Sequence, residues 1–177
     1  MLRNLFLAAA FVVANNQTAQ VKPPPTSATP EVRKIVEAMS GIWMGQMTAN
    51  VPGFPLATFD WKMNCQPVAQ RSGVSCTNTG TASIGSMAES CLLAFDPEGK
   101  AVHYMCVTSM GEVHDHKGIW VDTKTIEFEP LRAGMMGQPI TETLRWYFPD
   151  ANTIDKTSEV KMADGSIMKF EFKGKRT

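Results

Sequence analysis

His114-Asp115-His116 is the constellation in this 177-residue chain with the clearest capacity for chemistry. Side chains alternate between the faces of a strand, so both imidazoles point to one side, together with Gly118 and Trp120. Two imidazoles so placed can hold one metal ion or face one ligand, and His103 on the preceding strand is a candidate third member. The plainer alternative is a pair of polar strand residues facing solvent or a barrel mouth. The His-x-His pattern is short and common, no carboxylate partner is assignable, and Lys117 follows directly. Glu142 shares a face with Ile140, Leu144 and Trp146. Facing inward, it would orient a ligand or act as a base; at a rim it would simply be solvated. No Gly-x-Ser-x-Gly, phosphate loop or other nucleophile motif is present, so the reading leans away from an enzyme.

Cys65, Cys76, Cys91 and Cys106 form an even set. In a chain that reads as exported, that favours disulfides over metal ligation, and no Cys-x-x-Cys spacing offers a zinc site. Opposed residues in a hairpin keep a constant index sum. A four-residue loop at 97–100 therefore sets Cys91 opposite Cys106, and a turn centred on Gln70-Arg71 sets Cys65 opposite Cys76. The expected bonds are Cys65 to Cys76 and Cys91 to Cys106, each worth about 3 kcal/mol for so short a loop. A one-residue slip would send each pair to opposite faces, and four buried free thiols are the alternative. Of the 12 methionines, Met44, Met47, Met63, Met105, Met110 and the pair Met135-Met136 could line an adaptable apolar cavity. With Cys and His they would also suit Cu(I), although no dense Met motif appears and core filling is the simpler reading.

These residues must be positioned by strands. Residues 42–49, 57–66, 73–80, 87–95, 101–110, 113–121, 125–131, 140–148, 154–162 and 166–173 read as about ten strands, punctuated by turn chemistry roughly every ten residues. Alternation is clearest late in the chain. Ile140, Leu144, Trp146 and Phe148 share one face, as do Met168, Phe170 and Phe172, with Lys169, Glu171 and Lys173 opposite. A short helix precedes the strands: Thr29 is a good N-cap, Pro30 fits the first turn, and Val32, Ile35, Val36 and Met39 make one apolar stripe. Gly41 stops it, and Gly41-Ile42-Trp43-Met44-Gly45 opens the first strand with a large ring set between glycines.

Lys and Arg number 17 against 17 Asp and Glu, with no basic run, which argues against a nucleic-acid partner. At the N-terminus Arg3 precedes an apolar run over 5–14 that turns polar at Asn15, so residues 1–20 read as an export signal. A buried N-terminal strand or helix is the alternative. The run falls short of the roughly 20 residues a spanning helix needs, so no membrane span is expected. Residues 21–28, with Pro23, Pro24 and Pro25, read as an extended linker, leaving 29–177 as one domain.

A helix, then Gly41-Ile42-Trp43-Met44-Gly45, then a long meander ending in Lys173-Gly174-Lys175-Arg176 resembles the calycin group of lipocalins, fatty-acid-binding proteins and their bacterial relatives. Closest in layout are bacterial barrel domains of unknown function with a Phe/Tyr-Asp-Pro-x-Gly hairpin turn, here Phe95-Asp96-Pro97-Glu98-Gly99. The resemblance covers roughly 32–176 and implies that Trp43 packs against Arg176, a cation over an indole face. It carries no catalytic set. Some barrels of this shape hold haem through a single His, so haem stands beside a metal ion as a candidate cofactor for His114 and His116.

The resulting expectation is an exported, all-β, antiparallel up-and-down barrel of about ten strands with a short N-terminal helix closing one end. It would hold a small, mostly apolar molecule non-covalently, with a wall drawn from Trp146, Phe148, Met168, Phe170, Phe172 and Glu142. A metal- or haem-binding protein is the second reading. A structural or interaction barrel with a packed interior is the third.

Overall fold

The computed structural model describes residues 29–109, 111–135 and 137–177. The expected export signal and linker, with Met110 and Met136, lie outside the described residues. The helix α1 (Pro30–Met39) begins where Thr29 accepts a hydrogen bond from the Val32 N–H at 3.4 Å, and it buries Val32, Ile35, Val36 and Met39. Gly41 follows with φ of 125°, a conformation that favours glycine and lets the chain turn directly into the first strand.

Eleven antiparallel strands follow: β1 (Gly41–Asn50), β2 (Ala57–Val68), β3 (Gly73–Ala82), β4 (Gly85–Asp96), β5 (Ala101–Thr108), β6 (Val113–Trp120), β7 (Thr125–Phe128), β8 (Leu131–Met135), β9 (Gln138–Asp150), β10 (Thr153–Met162) and β11 (Ile167–Arg176). Consecutive strands pair except β7 with β8, both of which pair with β9; β9 pairs with β10 and β1 with β11, so the sheet closes on itself. Closure leaves no conventional edge strand to recruit another chain. Ten staves make the ring, because β7 and β8 are one stave broken at Glu129-Pro130 where proline has no N–H to give the ladder. The stretch expected as one strand over 125–131 therefore divides. β7 bridges β6 and β9, whereas β8 pairs with β9 alone. The Lys117 carbonyl still accepts from the Glu129 N–H at 2.8 Å, but beside residues 113–116 of β6 no ladder partner stands on this side among the described residues.

The helix stoppers one end of the barrel. Trp43 is fully buried beneath it and donates its indole N–H to the Met39 carbonyl at 2.8 Å. Arg176, the register partner of Trp43, sits with Cζ 4.5 Å from the indole centroid. It also donates to the carbonyls of Glu37 at 3.0 Å and Ala38 at 2.8 Å, placing a cation on the otherwise unsatisfied C-terminal carbonyls of α1.

Cys65 is bonded to Cys76 and Cys91 to Cys106, and no free cysteine remains among the described residues. Cys76 and Cys91 are register partners as well, so the four sulfurs form one inward-facing row across β2, β3, β4 and β5. His114 continues that row on β6 as the partner of Cys106. Inward glycines make room for rings: a Cβ on Gly118 would stand 2.6 Å from the Phe128 ring, and one on Gly174 or Gly80 would overlap Phe172 or Trp61. Aromatic rings thus occupy the space that side chains at these glycines would take.

Candidate functional site

A cavity of about 120 Å³ occupies the other half of the barrel, away from the helix. Its lining is apolar on β1, β2 and β11, where Met47, Trp61, Phe170 and Phe172 point in. The rest of the lining is largely polar, with Glu89, Glu112, His114, His116, Glu142 and Lys156 beside Met87 and Leu144. That polarity is a direct outcome of strand alternation: on β6 the inward positions are His114, His116 and Gly118, and on β9 they are Ile140, Glu142, Leu144 and Trp146.

Glu142 is the centre of the polar wall. Its Oε2 lies 3.0 Å from His114 Nδ1 and 3.3 Å from His116 Nε2, and its Oε1 accepts from the Ser158 hydroxyl at 2.5 Å. All four residues are buried, with His116 at 2% exposure and Glu142 at 8%. Burial by itself would raise the Glu142 carboxyl; the hydrogen bonds from His114, His116 and Ser158, with the charge of His116, overcome it and hold the group far below the usual carboxylate range. The bond to Glu142 raises His114, burial opposes that, and the fields of Glu142, Glu112 and Glu89 reinforce it. The remaining ring nitrogen of each imidazole, His114 Nε2 and His116 Nδ1, has no hydrogen-bond partner among the described residues. Glu112 Oε2 stands 3.7 Å from His114 Nε2.

Tyr104 and Lys156 complete the wall. Lys156 Nζ lies 3.5 Å from the Tyr104 hydroxyl and 4.5 Å from the Trp146 ring centroid. Burial lowers its pKa to about 8, with Glu89 and Glu142 pulling the other way. Tyr104 is raised well above its ordinary value by burial first, then by the same two carboxylates. Three glutamates against one lysine give the cavity an acidic character that suits a cation or a hydrogen-bond donor.

Of the residues singled out in the sequence, His114, His116, Glu142, Phe170 and Phe172 meet at this cavity. Trp146 lies deeper, edge-on to Tyr104 at 4.7 Å and Phe128 at 5.0 Å. Phe148 packs with Trp120 toward the helix end, and Met168 joins Met135, Ile140 and Val160 in a separate small cluster. His103 faces outward and bonds Asp115 at 3.2 Å, so it stands apart from the other imidazoles. Met47 and Met135 line the cavity and Met63 is core, but Met44 and Met105 are exposed. Glu89, Tyr104, Lys156 and Ser158 escaped notice, although each sits at the inward parity of its strand. Tyr104 is two residues from Cys106, and Lys156 lies between Ile154 and Ser158.

No protein-family model matches the sequence, and no curated protein sequence does. Solved structures do match. The Rv2717c protein of M. tuberculosis superposes with a TM-score of 0.69 at 13% identity, over 85% of this chain and 99% of that one. The fold is a calycin-like barrel. The S-type phycobiliprotein lyase CPES of Guillardia theta has the same layout, with a TM-score of 0.55 at 11% identity, covering 82% and 92% of the two chains. At such identities the calycin-like barrel shares a shape with these proteins, and its chemistry must be argued from its own residues.

Proposed function

We propose that this barrel is an exported binding protein for a small molecule with an apolar body and a polar, hydrogen-bond-donating or cationic head. The observation that carries this reading is the mixed cavity: Trp61, Phe170 and Phe172 supply an apolar lining and the His114-Glu142-His116 group a polar one. Sites for drug-sized ligands enclose roughly 300–1,000 Å³, so a cavity of about 120 Å³ restricts the guest to something nearer a single ring. For the same reason haem is not proposed. Export is favoured by the N-terminal apolar run together with two disulfides, which persist in oxidising compartments. No helix among the described residues is long and apolar enough to cross a membrane.

Native mass spectrometry of the protein from the exported fraction tests the proposal. An organic mass that is lost on denaturation, and that is missing when Leu144→Trp fills the cavity of a normally folded variant, is the expected result. Equal retention of that mass by Leu144→Trp would place the ligand elsewhere and overturn the reading. So would a bare protein that binds no member of a panel of small aromatic amines.

A further inference from the structure

We infer that His114, His116 and Glu142 form a binding site for one divalent transition-metal ion. The inference stands on the placement of three donor atoms and does not depend on an organic guest. One ligand atom from each of the three residues lies within 4.8 Å of the others, and His114 Nδ1 and His116 Nε2 stand 3.0 and 3.3 Å from the shared Glu142 Oε2. Around an ion with bonds of about 2.0–2.2 Å, tetrahedral ligand atoms are roughly 3.4 Å apart, so both nitrogen-to-oxygen separations are already near the edges of such a polyhedron. Imidazole and carboxylate donors suit zinc and its neighbours in the first transition row.

The surroundings match what such sites require. Each strand supplies rigid donors: His114 and His116 are successive inward residues of β6, and Glu142 projects from β9, separated from β6 by the broken stave. Outer partners are in place. Ser158 holds the second oxygen of Glu142, and Glu112 stands 3.7 Å from His114 Nε2, placed to accept a hydrogen bond from that N–H as the ring turns onto an ion. Without a cation, one carboxylate oxygen must serve two buried imidazoles at once, at 3.0 and 3.3 Å. All three donors line the cavity, so the fourth position of the ion opens to the guest or to water. The group Glu89, Cys91 and Cys106 is a poorer candidate, because both sulfurs are committed to one disulfide.

Zinc titrated into the metal-free, disulfide-intact protein is expected to bind one ion per chain and to raise its melting temperature. The chain has 3 histidines, so ring-nitrogen NMR reads the site directly: His114 and His116 shift at saturation and His103 stays in place. Affinity falls by more than about 100-fold in His114→Ala, His116→Ala and Glu142→Gln, and by about 10–100-fold in Glu112→Gln. His103→Ala binds as the wild type does. Unchanged affinity in the double variant His114→Ala, His116→Ala overturns the assignment, as do shifts confined to His103 or the absence of one-to-one binding by the wild type. If a substitution disturbs folding, NMR on the unsubstituted chain decides. Native mass spectrometry keeps the two proposals apart, because a zinc ion and an organic guest add different masses.

Discussion

Glu142 accepts from three side chains through two oxygens, and that crowding sets the energetics of the polar wall. Replacing it by alanine deletes the shared acceptor and leaves two buried imidazoles and a hydroxyl without one. Glu142→Ala is expected to cost about 3 kcal/mol, read as a lower urea midpoint, because unpartnered buried polar groups bear the full loss of hydration. Lys156 makes a separate prediction in pH. Its folded pKa of about 8 lies below the ordinary 10.5, so the unfolded chain binds more protons between those values. Stability should then rise with pH above about 8, by no more than about 3 kcal/mol. Tyr104, raised in the fold, reverses the trend above its ordinary value of 10.0. Urea unfolding at pH 7.5 and pH 9.5, run on wild type and Lys156→Met, checks this: the rise belongs to the wild type and is absent in the variant.

At the scale of elements, α1 and β1 act as a single stopper. Trp43→Ala removes the ring that touches Arg176 and the Met39 carbonyl, and it should cost about 3–5 kcal/mol with a lower melting temperature. Gly118→Ala tests the opposite limit, since its methyl would press on Phe128 at 2.6 Å and force the pair apart for about 1–3 kcal/mol. Most of these elements were legible because local rules agree: cap, stripe and stop for the helix, and alternation with turn residues for the strands. The hairpin registers followed from loop length, which is why the cysteine geometry could be worked out from numbering alone. β8 was not legible, since Arg132-Ala133-Gly134 lacks β-branched residues and Pro130 masks where the previous strand ends. The partnership of Glu142 with His114 and His116 was hidden for a related reason. It spans two strands that are not neighbours, across a stave whose break sequence periodicity does not register.

For the whole molecule, closure concentrates stability in the ring and the helix stopper and leaves the opposite half open to function. The two disulfides close loops of 11 and 15 residues in sequence separation, so each should contribute about 3 kcal/mol. Melting curves of Cys65→Ser, Cys76→Ser and Cys91→Ser, Cys106→Ser double variants, set against a peptide map of the parent, check both value and pairing. Equal melting of parent and variants would contradict the crosslinks. The two losses should not be equivalent in ligand binding, because Cys106 lines the cavity while the Cys65 to Cys76 bond does not.

Four sulfurs in one row leave the native register a single wrong bond to make, Cys76 to Cys91. That bond would strand Cys65 and Cys106 three strand spacings apart, roughly 14 Å, far beyond the reach of a second crosslink. Each stranded thiol would then lie beside a sulfur of the mistaken bond. Attack by the Cys65 thiolate on Cys76 would restore one correct pair and release Cys91 next to Cys106, where any disulfide oxidant could join them. A chain mispaired in this way would thus carry the nucleophile that corrects it.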